Sequence, residues 1–194
     1  MGDTVRRAGL ASSVGLIVFG VGLGASSLLR LANLFPNNDP IMAVALPYAK
    51  QKRAWMAVAF PVLAMVLFDC LSAKVGVWTV VTAATYGLLG FGFSLLYRKR
   101  AALGRRTAPF TYLASGAAGV LVFDFVTGPI MSSALFGMGF GQAFVGQIPF
   151  TLWHLASVSA YALVVSPVID RALSWAARCE PRLASAMGLK AGVS

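Results

Sequence analysis

Charge is scarce in this sequence. Only 11% of its 194 residues are Asp, Glu, Lys or Arg, and only six are acidic, against about 25% charged residues in soluble domains. One histidine and two cysteines are present, with no His/Cys pair at ligand spacing, so no metal motif is found. A phosphate-binding GxxxxGK[ST] loop and a dinucleotide fingerprint are also missing. The "GVGLG" at 20–24 lies inside a helical run with no strand before it, and reads as helix packing. No activated Ser or Cys nucleophile is recognisable. These absences leave no expected cofactor and no ATPase activity in the chain itself.

Apolar residues take the place of charge, at 58% of the chain. Ala8–Leu29, Val75–Tyr97 and Thr107–Phe123 carry no charge at all. Such runs reach or approach the roughly 20 residues of a bilayer-spanning helix. They are too long and continuous for barrel strands, which alternate over about ten residues. The expectation is a single all-α integral membrane domain over 1–194, multi-pass in the cell (plasma) membrane. Arg6–Arg7, the apolar stretch and "GASS" at 24–27 have the ingredients of a signal peptide, but 22 uncharged residues are long for its apolar region. Arg6 stands where a myristoylation motif needs Ser or Thr.

The net charge of +10 raises nucleic-acid binding, and the placement of the basic residues argues against it. Fourteen of sixteen Lys and Arg fall in four clusters: 6–7, 50–53, 98–106 and 171–190. Basic loops stay in the cytoplasm. Two crossings per interval then give six transmembrane helices with both termini cytoplasmic, at about 9–30, 38–50, 54–71, 76–97, 108–126 and 147–170. Helix 2 is short or broken, because Pro40 suits its first turn, Asn38 or Asp39 can cap it, and Pro47 interrupts it. Residues 127–146 hold six glycines or prolines among large apolar side chains, and read as an outer cap loop with a short helix at 130–136, or else as a re-entrant element. Cys70 and Cys179 fall on opposite sides of the membrane in this topology and cannot pair.

Counting along the helices gives depth. Arg53 to Asp69 is ~24 Å of helix, Pro109 to Asp124 ~22 Å, and Arg171 back to His154 ~26 Å. Three helices thus bring an ionisable group to one layer near the outer face, where the Asn37–Asn38–Asp39 turn also arrives. Buried charges in membranes face cavities and partners. The expected ligand-binding residues are Asn37, Asn38, Asp39, Asp69, Trp78, Asp124, Thr127, Gln147 and His154. Plainer roles stand beside these: Asp124 bonding the next turn, Asp69 pairing with Lys74, and Trp78 in an interfacial aromatic belt. The Phe-Asp pairs of "VLFDCLSAKVGVWT" at 66–79 and "LVFDFVTGPIMSSA" at 121–134 suggest two helix ends built alike. Ala11, Gly15 and the glycines of 20–24 make a small-residue face on helix 1, suited to close helix approach.

The hairpin layout, with "FPNNDPIMAVALPYA" at 35–49, "FDCLSAKVGVWT" at 68–79, "FDFVTGPIMSSALFG" at 123–137 and "GQIPFTLWHL" at 146–155, resembles the substrate-binding S components of energy-coupling factor (ECF) transporters. The last two motifs resemble an uncharacterised substrate group of that family. The resemblance implies a non-enzymatic subunit that binds a small water-soluble vitamin or precursor near the outer face, under the loops at 31–39 and 127–146. It implies partnership with a membrane T protein and two ATPase subunits that hydrolyse ATP. It also implies docking through small residues of helix 1. The family's Ala-x-x-x-Ala motif is here Ala11-x-x-x-Gly15, beside Ala8-x-x-x-Ser12. Two other readings remain open: an intramembrane acid–base enzyme using Asp69, Asp124 and His154 on a lipid, and a structural membrane subunit.

Overall fold

The computed structural model describes residues 2–34, 36–51, 54–104 and 107–186, with side chains described within 15–175. Among these residues the chain is wholly helical: α1 (Gly2–Ala32), α2 (Ile41–Ala49), α3 (Ala54–Leu71), α4 (Val77–Ala102), α5 (Pro109–Phe125), a π-helical turn (Val126–Ile130), α6 (Met131–Phe136) and α7 (Phe140–Ala186). Four stretches are long and apolar enough to cross a membrane: Gly15–Ala32, Val77–Ala102, Pro109–Phe136 and Phe140–Trp175. Trp55–Leu71 is a shorter apolar helix.

The short α2 is the axis of the molecule. All nine of its residues are buried, as expected of a helix that is apolar all round. It touches α1, α3, α4, α5 and α7. Pro47 stays inside it. At its start the Ile41 N–H donates to Asp39 Oδ1 at 2.9 Å, so Asp39 caps the helix from outside its first turn. At its end Lys50 pairs with Asp170 of α7 at 2.8 Å. Tyr48 stacks on Phe60, and Phe19 meets both rings edge-on.

The distribution of polarity is inverted relative to a soluble protein. Leu88, Phe110 and Val80 are 72%, 72% and 69% exposed, while Asp39, Asp124 and His154 are each 1% exposed. Water would penalise that surface; acyl chains do not. In such a solvent the apolar effect gives little drive between helices, and close packing with buried hydrogen bonds holds them together.

Within the outer cap expected at 127–146, the short helix expected at 130–136 is present as α6, and the remaining loop is corrected. Only 137–139 separate α6 from α7, and α7 begins at Phe140 rather than near 147. Backbone polar groups in an apolar solvent must be satisfied within the segment, and helix does this better than loop. The π turn has a local cause. Pro129 lacks an N–H, and the Thr127 hydroxyl donates to the Phe123 carbonyl at 2.8 Å, satisfying an acceptor near the break. Gly137 then ends α6 in a left-handed conformation, φ +65°, as helix C-termini favour.

Candidate functional site

Four helices and the α1–α2 connection converge on a buried polar cluster. Asp39 enters from the connection, with its N–H donating to Ser157 Oγ at 2.9 Å. His154, three residues earlier on α7 and so on the same face, lies between two carboxylates. Its Nε2 is 2.9 Å from Asp39 Oδ2, and its Nδ1 is 2.8 Å from Asp124 Oδ1 at the end of α5. The Tyr86 hydroxyl of α4 donates to Asp39 Oδ2. Arg30, in the last turn of α1, reaches Asp39 Oδ1 at 3.5 Å. Phe68 of α3 holds that guanidinium over its ring, 4.4 Å from the centroid. Phe123 packs edge-on to His154 and against Tyr86.

The two contacts of His154 constrain the protons. A neutral imidazole has one N–H and one lone pair, and an ionised carboxylate only accepts. With both nitrogens facing carboxylate oxygens, one further proton is needed. It sits on the second imidazole nitrogen or on a carboxyl oxygen. In either case Arg30, His154, Asp39 and Asp124 sum to zero charge, which is the arrangement a dry interior tolerates.

Beside this cluster, between α5 and α7, lies a cavity of ≈ 400 Å³. Asp124, Gln147 and Thr151 are its polar wall, and Phe125, Phe144 and Leu152 contribute to its apolar wall. Gly128 is what lets the π turn approach α7 here, because a Cβ on it would lie 2.6 Å from the Gln147 side chain.

The structure thus brings together Asp39, Asp124 and His154, with Gln147 near Asp124 on the cavity wall. The other expected ligand-binding residues have different partners. Asp69 is buried at the α3–α4 hairpin, where the Thr79 hydroxyl donates to its Oδ2 at 2.6 Å; no Asp69–Lys74 ion pair is present among the described residues. α3 touches α4, α2 and α1, but not α5 or α7, which keeps Asp69 across the bundle from Asp124. Trp78 packs on Phe136 at 5.9 Å between ring centroids. The Thr127 hydroxyl is used within its own helix. Asn38 latches the connection, donating to the Leu29 carbonyl at 2.6 Å and accepting from Tyr161 at 2.7 Å. Asn37, at φ +54°, donates to the Phe150 carbonyl at 3.3 Å. Of the expected docking pair, the side chain of Ala11 lies outside the described residues, and Gly15 faces open space.

Sequence reasoning missed Tyr86 and Ser157. Ala83, Tyr86, Gly87 and Gly90 are buried at helical spacing, and that stripe was the available signal for Tyr86. Arg30 was missed as well; with Lys74 it is one of two basic residues outside the four clusters, and its isolation at an apolar helix end was the signal.

The Asp69–Thr79 bond has a direct test. Thr79→Val keeps the shape and removes the donor, leaving a buried carboxylate oxygen unpaired, at a cost of about 1–3 kcal/mol. Denaturant titration in detergent should read that loss, and ligand binding at the α5–α7 cavity should not change.

Comparison with family models, with curated proteins and with solved structures found no match to this chain.

Proposed function

We propose that this chain is the substrate-binding membrane subunit of an ECF-type uptake transporter for a vitamin or vitamin precursor. It crosses the plasma membrane six times, with both termini in the cytoplasm. The observation that carries this reading is the buried Asp39–His154–Asp124 cluster with a ≈ 400 Å³ cavity against Asp124. Ionisable groups are expensive in a membrane interior and mark ligand or ion pathways there. On this reading the Lys50–Asp170 pair stands at the cytoplasmic end, with α2 (Ile41–Ala49) separating it from Asp39. Gly15, Gly20 and Gly24 leave open space beside α1, which supports docking of a T protein on that helix.

The experiment is purification of the full chain from cells, with mass spectrometry of any co-purifying small molecule and co-expression with candidate T and ATPase proteins. A bound nutrient and a stable complex are the expected results. A chain that carries no ligand and never joins such a complex is not a transporter subunit.

One observation favours a second reading. A histidine bridging two carboxylates is able to shuttle protons, as an intramembrane acid–base enzyme acting on a lipid requires. Both of its nitrogens are already engaged within the protein, so the cluster would have to open first. Turnover of a lipid by the chain alone in detergent would favour that reading.

A further inference from the structure

Asp124 has one oxygen to spare. Oδ1 meets His154, but Oδ2 is buried and has no hydrogen-bond partner among the described residues. The same side chain forms part of the wall of the α5–α7 cavity, whose surface is otherwise apolar apart from Gln147 and Thr151. A buried acceptor left unpaired is costly, and a donor that reaches it recovers that cost.

The charge state of the cluster selects the donor. The shared proton lies on one of the two bridges, between His154 Nδ1 and Asp124 Oδ1 or between Nε2 and Asp39 Oδ2, and no such position supplies Asp124 Oδ2 with a donor. In each of these states the cluster of Arg30, Asp39, Asp124 and His154 is neutral. A cationic ligand would add a net charge to a dry site. Otherwise it would drive off the shared proton and set an imidazole lone pair against a carboxylate oxygen of Asp39 or Asp124. An anion would face the carboxylate directly. A neutral N–H or O–H group meets neither penalty.

We infer that the α5–α7 cavity binds an uncharged, largely apolar molecule with one N–H or O–H donor, which bonds Asp124 Oδ2. This names the ligand class of the transport subunit proposed above and rests on that reading. Phe144, Ile148 and Leu152 line the cavity and are also substantially exposed on the outer surface of the bundle. The cavity therefore opens sideways, and the ligand enters from the lipid phase or from water with the same chemistry.

The test uses the full chain in phosphatidylcholine nanodiscs and three probes of one shape: indole, 1-methylindole, which lacks the donor, and tryptamine, which adds a cation. Calorimetric titration should show saturable indole binding at least about fivefold tighter than 1-methylindole, as one buried hydrogen bond implies, with tryptamine weaker than indole. Asp124→Leu removes the acceptor and keeps the remaining charges balanced, so it should abolish the difference between indole and 1-methylindole. Thr151→Trp fills the cavity and should reduce indole uptake to that of empty nanodiscs. Repeating the titration in bilayers preloaded with a long-chain alcohol distinguishes the source: competition indicates entry from lipid, and its absence entry from water, with the ligand class upheld in both. Equal binding of indole and 1-methylindole by the native chain, tighter binding of tryptamine, or no saturable indole binding overturns the inference. If partner complexes form around a charged nutrient, the transport reading stands and this ligand class falls. If indole binds as stated while no partner complex forms, the cavity stands and the transport reading falls.

Discussion

His154→Leu should destabilise the folded chain by about 3–5 kcal/mol, the range for removing one partner from a buried ion pair. Among the described residues the imidazole is the one bridge between Asp39 Oδ2 and Asp124 Oδ1, at 2.9 and 2.8 Å. Without it Asp39 keeps Arg30, Tyr86 and the Ile41 N–H. Asp124 keeps no partner among the described residues, since its Oδ2 already lacks one there and its Oδ1 loses His154. A carboxylate 1% exposed must then be buried unpaired or take up a proton. The double variant His154→Leu/Asp124→Leu removes both stranded groups and leaves Arg30 against Asp39. Replacing a whole buried polar pair by apolar side chains is often nearly neutral. The double variant should therefore recover most of the loss, giving a coupling of opposite sign to the single effects. Stepwise SDS denaturation of purified protein measures all four members of the cycle. A single variant as stable as the native chain would show that the imidazole is not holding these carboxylates.

Much of the fold was legible because lipid imposes a simple rule: long uncharged stretches become helices. The limits expected for α3, 54–71, coincide with the helix observed, since basic residues precede it and a polar turn follows. The start of α7 was not legible. Gly139, Gly141 and Gly146 read as loop residues by soluble-protein habits, yet glycine is common in membrane helices, and α7 runs through Gly141 and Gly146. Relative height along the helices was also legible, because helical rise is fixed. Counting placed Asp124 and His154 at one height, and the two side chains meet. The same count placed Asp69 at that height, but height says nothing of rotation or of which helices are neighbours. The two Phe-Asp pairs make this concrete. Phe68 and Phe123 both support the cluster, through Arg30 and through His154 and Tyr86. Of the two acids, only Asp124 belongs to it. Tyr86 was hidden because one hydroxyl barely changes the hydropathy of its run, while its partner Asp39 lies 47 residues away in sequence.

Gly90→Ala should be the most damaging glycine-to-alanine change among the described residues. Gly90 faces the α3 backbone at Ala57 and Val58. A Cβ there would overlap the Ala57 carbonyl oxygen and lie 2.8 Å from the Ala57 carbonyl carbon. Those atoms are backbone, so no rotamer change relieves the clash; α3 and α4 have to separate. α4 packs more extensively on α3 than on any other element, and in an apolar solvent that close contact is the main source of helix association. Overpacking that forces backbone shifts typically costs about 1–3 kcal/mol and occasionally more, and a clash with backbone atoms belongs at the upper end. The separation would also draw Tyr86, one turn from Gly90 on the same face, away from Asp39, and would loosen the cluster from its α4 side. Gly92 serves as the control, because a Cβ there meets nothing within 4 Å. Gly92→Ala should leave stability unchanged or raise it slightly, since alanine favours helix by about 1 kcal/mol over glycine. Parallel SDS titrations of the two variants decide the matter: equal midpoints would mean that α3 and α4 do not meet at Ala57 and Gly90, and the approach that brings Tyr86 to Asp39 would have to be redrawn.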